Sequence, residues 1–166
     1  MIRSNFTTHF DVAGSYRFCS WNDIMLVKWE READGESVGC LEELVRQFQG
    51  RHPDGRQSGV HIIAEGVGLP TAEARTRLMS LIKRGSEHFG AVGIVILGTG
   101  FVASAVRSFL TGLRLIAPRS FDFRLHGRSA DVLKWFPAAH ARHTGQTIDI
   151  AQFGRVLGSF ERGSPF

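Results

Sequence analysis

Apolar positions along the chain change their spacing several times, and each change marks an element. "SYRFCSW" and "DIMLVKWE" are dense in aromatic and branched residues and are parted at Trp21, Asn22 and Asp23, which predicts two antiparallel strands of a hairpin. In "VGCLEELVRQFQG" the period lengthens: Leu41, Leu44, Val45 and Phe48 recur at helical intervals, and Gly50 supplies a stop. Past the turn signal Pro53-Asp54-Gly55, "GVHIIAEG" reads as a short apolar strand. "LPTAEARTRLMSLIKRGSEHFG" reads as a long amphipathic helix, with Leu78, Leu81, Ile82 and Phe89 inward and Arg75, Arg77, Lys83 and Arg84 toward water.

"AVGIVILG" is the most apolar segment and does not alternate, as expected of a strand covered on both faces. A helical stripe follows through Phe101, Val102, Ala105, Val106, Phe109, Leu110 and Leu113. "RSFDFRLHG" sets Phe121, Phe123 and Leu125 against Asp122, Arg124 and His126, a half-buried strand toward a sheet edge. "SADVLKWFPAAH" opens on the N-cap candidate Ser129 and carries Val132, Leu133 and Phe136 inward, with Pro137 expected to end or bend the helix. "IDIAQFGRVLGSFE" places Ile150, Phe153, Val156, Leu157 and Phe160 on one side and predicts a last helix, weakened by Gly154 and Gly158.

Strands alternating with helices favour parallel pairing, because the crossover returns each strand in the same direction. The fold class is therefore α/β: a mixed sheet of about five strands, with an N-terminal antiparallel hairpin and the remaining strands largely parallel. About four helices pack on it, and an extra C-terminal helix follows. Residues 1–14 read as a flexible polar lead-in, 15–143 as one domain, and 144–166 as a helical extension packed on that domain. The extension either caps an exposed face of its own domain, which is the preferred reading, or forms a homodimer surface.

This order resembles the STAS-like domains, and within them the bacterial SpoIIAA-like set. The resemblance spans about residues 15–140 and rests on four segments in series: "YRFCSWNDIMLVKWE", "HIIAEGVGLPTAEAR", "VILGTGFVASAVRSFLTGL" and "FRLHGRSADVLKWF". In the last of these, Phe123, Ser129, Asp131 and Trp135 are similar to the family's usual ending. The resemblance implies a STAS-like fold and regulation through protein–protein contact without catalysis. The best-known members carry Asp-Ser at the start of the helix after the third strand, and that Ser is phosphorylated. Here the place is occupied by "EGVGLPT", with Thr71 the nearest hydroxyl and Glu65 the nearest carboxylate, so the phospho-switch has no matching pair.

Composition narrows the class further. The 166 residues suit one domain, and 43% hydrophobic with 22% charged residues is ordinary for a globular protein. The opening "MIRSNFTTHFDVAGS" has no apolar signal core, and the run from Ala91 to Leu97 is too short to span a bilayer. Cys19 and Cys40 have no metal or redox spacing, which together with the opening predicts a cytoplasmic protein with reduced thiols. Net charge is +4 and mostly Arg, but the Arg residues are scattered, which argues against nucleic acid. Arg107, Arg114, Arg119, Arg124 and Arg128 could form an anion-attracting patch with weak affinity for an anionic surface; a solvated face explains them more simply.

The G-T-G-F-V-A turn needs separate weighing. Gly98, Gly100 and Ala103 supply part of a dinucleotide fingerprint, but Asp122 falls at the start of its strand, where a ribose is out of reach. The small residues are read as turning the chain and letting Phe101 tuck under the sheet. Thr71 is explained as a helix cap, with Glu73 at the positive helix end. His140 and His143 are three apart, but Pro137 and Gly145 interrupt the helix that would align them, and no catalytic, metal or cofactor set is assigned. The reading is thus a non-enzymatic module that meets a protein partner around Glu65, Gly66, Gly68 and Thr71 and around Gly98, Gly100 and Phe101. The alternatives are a small-ligand module taking an anion, nucleotide or lipid headgroup at the same helix starts, and a dinucleotide-dependent enzyme using Gly98, Gly100 and Ala103.

Overall fold

The computed structural model describes residues 6–10, 14–53 and 55–164, with side chains from residue 14 onward. Six strands, β1 (Phe6–Phe10), β2 (Tyr16–Trp21), β3 (Ile24–Trp29), β4 (Gln57–Ile63), β5 (Phe89–Ile96) and β6 (Asp122–His126), lie in one sheet in chain order. The β1–β2 and β2–β3 pairs are antiparallel and all later pairs are parallel. The β2–β3 turn is tight because Asn22 takes φ +53, which Asn tolerates better than most residues. The lead-in expected to be loose instead supplies β1, whose "FTTHF" pairs with five of the six residues of β2, from Phe6↔Trp21 to Phe10↔Arg17. Backbone pairing at an open edge needs no strongly apolar sequence, which is why polar Thr and His did not announce it.

Three crossover helices, α1 (Gly35–Gly50), α2 (Ala72–Gly85) and α3 (Gly100–Ile116), pack on one face of the sheet; α4 (Ser129–Thr144) and α5 (Ile150–Arg162) cover the other. β5 is buried at all eight positions, as its unbroken apolar run requires. Val92, Ile94 and Ile96 serve the first face, and Ala91 and Val95 the second. On that second face Gly93 lets α4 approach: a Cβ there would already touch Trp135 and Val132, at 3.6 and 3.8 Å.

Side chains cap α1 and α5. Asp34 and Ser37 form a reciprocal capping box on α1, and Asp149 accepts from Gln152 N at 2.8 Å on α5. At the far end of α5, Arg17 and Lys28 donate to the Glu161 carbonyl at 3.3 and 2.8 Å, tying the helix to β2 and β3. Three further expectations change. Phe89 opens β5 and does not belong to α2, which stops at Gly85. Arg128, not Ser129, is the N-cap of α4. Pro137 neither ends nor breaks α4, which runs to Thr144 because its packed face on β4, β5 and β6 holds the turns on either side of the lost N–H.

The C-terminal stripe covers the chain's own core. Phe153, Leu157 and Phe160 are buried, and the Phe153 ring stacks on Phe136 and Trp21 with centroids 5.4 and 5.6 Å apart. Phe153→Ala is expected to cost about 3–5 kcal/mol of folding stability by urea denaturation, while Phe101→Ala, at a side chain 88% exposed, should stay within about 0.5 kcal/mol of the parent.

Candidate functional site

The sheet's parallel strands end together at one rim, where the loops after β4 and β5 meet. Glu65, Gly66, Gly98, Phe101 and Val102 line an open hollow there of about 260 Å³. The sequence-predicted residues of the two loops are thus brought together in part. Gly68 and Thr71 stand off to one side: Thr71 N–H donates to Ala33 O at 2.9 Å, and its Oγ1 accepts from Ala74 N at 3.3 Å. The hydroxyl is doing the work of a cap, as the sequence suggests.

The Gly98–Gly100 corner is set by backbone geometry. Gly98 has φ +82, and a Cβ there would lie 2.8 Å from Glu65 Cγ, so neither the conformation nor the space admits a side chain. Gly100 has φ +89 with nothing close to it, so its requirement is conformational alone. Arg107 reaches back from α3 to the Ile96 and Gly98 carbonyls at 3.4 and 3.3 Å and closes the corner.

Two observations weigh against a pyrophosphate at this turn. Glu65 lies against Gly98 and brings a carboxylate to where anionic oxygens would sit. The strand order also runs straight through in sequence, with α1, α2 and α3 all on one face, so the sheet has no switch point of the kind that opens a crevice for dinucleotides. Phe101 does not tuck under the sheet. It is 88% exposed, and its neighbour Val102 is 44% exposed, because the first turn of α3 projects beyond the strand ends. The buried stripe of α3 is Ala103, Val106, Leu110 and Leu113.

The five arginines do not form one patch. Arg107 is held at the β5–α3 corner, Arg124 lies over the Trp135 ring at 5.1 Å on the opposite face, and Arg128 pairs with Asp131 at 3.2 Å. Arg114 and Arg119 are exposed toward the other end of α3.

Folding also assembles polar clusters that sequence reasoning missed, since their members are scattered along the chain. His140 Nδ1 lies 3.0 Å from Ser58 Oγ, and its Nε2 lies 3.5 Å from Asp23 Oδ1 and 3.2 Å from Thr144 Oγ1. The composition is that of a hydrolase triad, but Ser58 is wholly buried and His140 is 1% exposed, so no substrate carbonyl can reach the hydroxyl. The cluster clamps α4 to β4 and to the β2–β3 turn. At the opposite rim Arg56 donates to Ser86 O and meets His143 Nδ1 at 3.2 Å, and His143 Nε2 lies 2.8 Å from Asp122. Burial pushes the Asp122 carboxyl up, but hydrogen bonds from His143 and Arg142 outweigh it and leave it below the usual range. Among the described residues no cluster of three His, Cys, Asp or Glu could hold a metal ion, and no helix is long and apolar enough to cross a membrane.

One histidine faces a different environment. His61 on β4 sits among apolar side chains, and Trp29 Nε1 donates to its Nδ1 at 3.4 Å. Burial pushes its imidazole down to about 4, so the ring is neutral and the proton resides on Nε2. His140 is also lowered by burial, with Asp23 opposing, and His126 by burial too.

No family model matches the chain, and no curated protein does. Among solved structures the chain is similar to an uncharacterised protein of the DUF3478 family with a SpoIIAA-like fold from Shewanella loihica PV-4. The TM-score is 0.53 at 12% identity, over 81% of this chain and 96% of that one. The chain therefore has a STAS-like, SpoIIAA-like α/β fold, with β1 as an added edge strand beyond the five expected.

The lowered histidines set a pH dependence. Above pH 7 both folded and unfolded forms are neutral and contribute nothing. As pH falls through the ordinary value of 6.5 the unfolded chain takes up protons that the native state excludes, so stability drops until about pH 4, where His61 itself protonates. His61→Gln is expected to lose about 2 kcal/mol less than the parent between pH 7.5 and pH 5.0 in urea titrations. Equal losses in the two proteins would show that His61 is not held neutral.

Proposed function

We propose that this chain is a non-enzymatic, SpoIIAA-like regulatory or scaffold module that binds a protein partner at the rim where the loops after β4 and β5 meet. The observation that carries this reading is Phe101: a large aromatic ring, 88% exposed, held outward at the start of α3 beside exposed Val102. Both stand next to the hollow lined by Glu65, Gly66 and Gly98. A rigidly mounted aromatic beside a recess is the arrangement that anchors protein interfaces, because the ring contributes large area at little entropic cost. The corner that mounts it is fixed by Gly98, Gly100 and the Arg107 hydrogen bonds.

No Asp-Ser pair stands at the start of α2, and Thr71 is engaged as its cap, so partner choice rests on this shape and not on a phosphorylated hydroxyl. The Glu65 carboxylate and the unreversed strand order weigh against the alternatives of an anionic ligand or a dinucleotide at the same turn.

A photo-reactive phenylalanine in place of Phe101, irradiated in living source cells, is expected to yield one discrete protein adduct. The same group at exposed Arg155 on α5 should not yield it. Adducts shared by both positions, no protein adduct, or an adduct consisting of a second copy of this chain would overturn the reading.

A further inference from the structure

The sheet's two faces are packed unequally. Beneath α4 and α5 the side chains interlock, with Val132, Phe136, Phe153 and Leu157 all closed to water. On the other face α2 rests chiefly against α1, and α3 against β5 and β6, so the two helices flank β4 without closing over it. β4 does little to fill the gap, since two of its residues on this side are Gly59 and His61. The result is an apolar cavity of about 130 Å³. Its floor includes Trp29, Val92, Ile94 and Phe123; α2 contributes Leu78, Leu81 and Ile82, and α3 Val106, Phe109 and Leu110. Leu78, Leu81, Ile82 and Phe109 are only half-buried, so the α2–α3 seam is where this space opens.

We infer that this cavity is a binding site for a small, uncharged apolar molecule or chain end of about eight carbons carrying a single hydrogen-bond acceptor. The size follows from volume: an apolar cavity of about 150 Å³ stays dry and takes up benzene, and an opening at the seam adds room for a short substituent. The absence of charge follows from the wall, whose interior is hydrocarbon apart from one imidazole; the Arg31 that also borders the space is exposed. The single acceptor follows from that imidazole. Trp29 occupies His61 Nδ1, which leaves Nε2–H as the donor, and among the described residues Nε2 has no partner. A cavity with one unspent donor on an otherwise apolar wall orients a ligand by one polar contact and binds it by fit. This inference does not rest on the protein-binding rim: Glu65, Gly98 and Phe101 lie outside the cavity wall, although Ile63 and Val67 border both spaces.

The chemistry is shared by an aromatic ketone and by an alkyl chain bearing a carbonyl, and acetophenone and 2-octanone present the same carbonyl on the two shapes. Titration of the full chain, followed by methyl NMR shifts, is expected to show saturable binding of at least one of them. The shifts should centre on Leu81, Val106 and Leu110, and which ketone binds more tightly tells ring from chain. Val106→Phe, or Leu78→Trp at a more tolerant half-exposed position, fills the space and should weaken binding roughly tenfold or more while the thermal midpoint holds or rises. His61→Phe should weaken the bound ketone roughly fivefold, yet leave ethylbenzene, which lacks the acceptor, no weaker. No saturable binding up to the solubility limit would overturn the inference, as would shifts centred on exposed Val102 and Leu115 or binding unchanged in a folded filled variant.

Discussion

Burial of β5 from both sides is the constraint on which the rest of the molecule depends. A strand with no water-facing residue must have a layer above and a layer below, and each layer must satisfy a different half of its side chains. Large residues, Val92, Ile94 and Ile96, point to α1, α2 and α3; small ones, Ala91 and Gly93, point with Val95 to α4. The small set draws α4 close enough for Trp135 to rest on the Gly93 backbone, and α5 then closes what remains of that face over Trp21 and Ile24. The extra C-terminal helix is therefore part of the core's arithmetic, and its end is fastened by Arg17 and Lys28.

The two proposed surfaces meet along α3 and differ in what builds them. The rim at the strand ends is built from backbone: positive-φ glycines, a back-bonding arginine and a helix whose first turn overshoots the sheet. There Phe101 is held outward by a rigid corner. The gap beneath α2 and α3 is built from side chains that are apolar but incompletely packed. Both surfaces share α3, and Ile63 and Val67 border both spaces, so a change at exposed Phe101 spares the cavity only where it leaves that helix in place.

Much of this was legible from residue order, for identifiable reasons. The hairpin, the doubly covered strand and the helical stripes all express a period, and period is what an amino-acid string records best. The Gly98–Gly100 turn was legible as geometry because the residues a cofactor needs around it are misplaced. Other features were not. Phe101 shares the period of α3, but period does not say where the sheet beneath a helix stops. Pro137 carries a local penalty that the packed face of α4 absorbs. Asp23, Ser58 and His140 lie too far apart in the chain for any spacing rule to join them. The cavity was hidden for a subtler reason: Leu78, Leu81, Val106 and Leu110 each look like core, and only their arrangement shows that the core is not filled there.

Strand order equal to chain order bears on how the protein is made. Each new strand leaving the ribosome finds its neighbour already present, so the sheet can grow by local additions without waiting for distant sequence. Its second face has no such luck. Trp21 and Ile24 emerge early, but the helix that shelters them begins more than 125 residues later. At synthesis rates of about 5–20 residues per second, that apolar surface stays bare for on the order of 10 seconds, a window in which the nascent chain must depend on chaperones or on speed to avoid sticking to its neighbours.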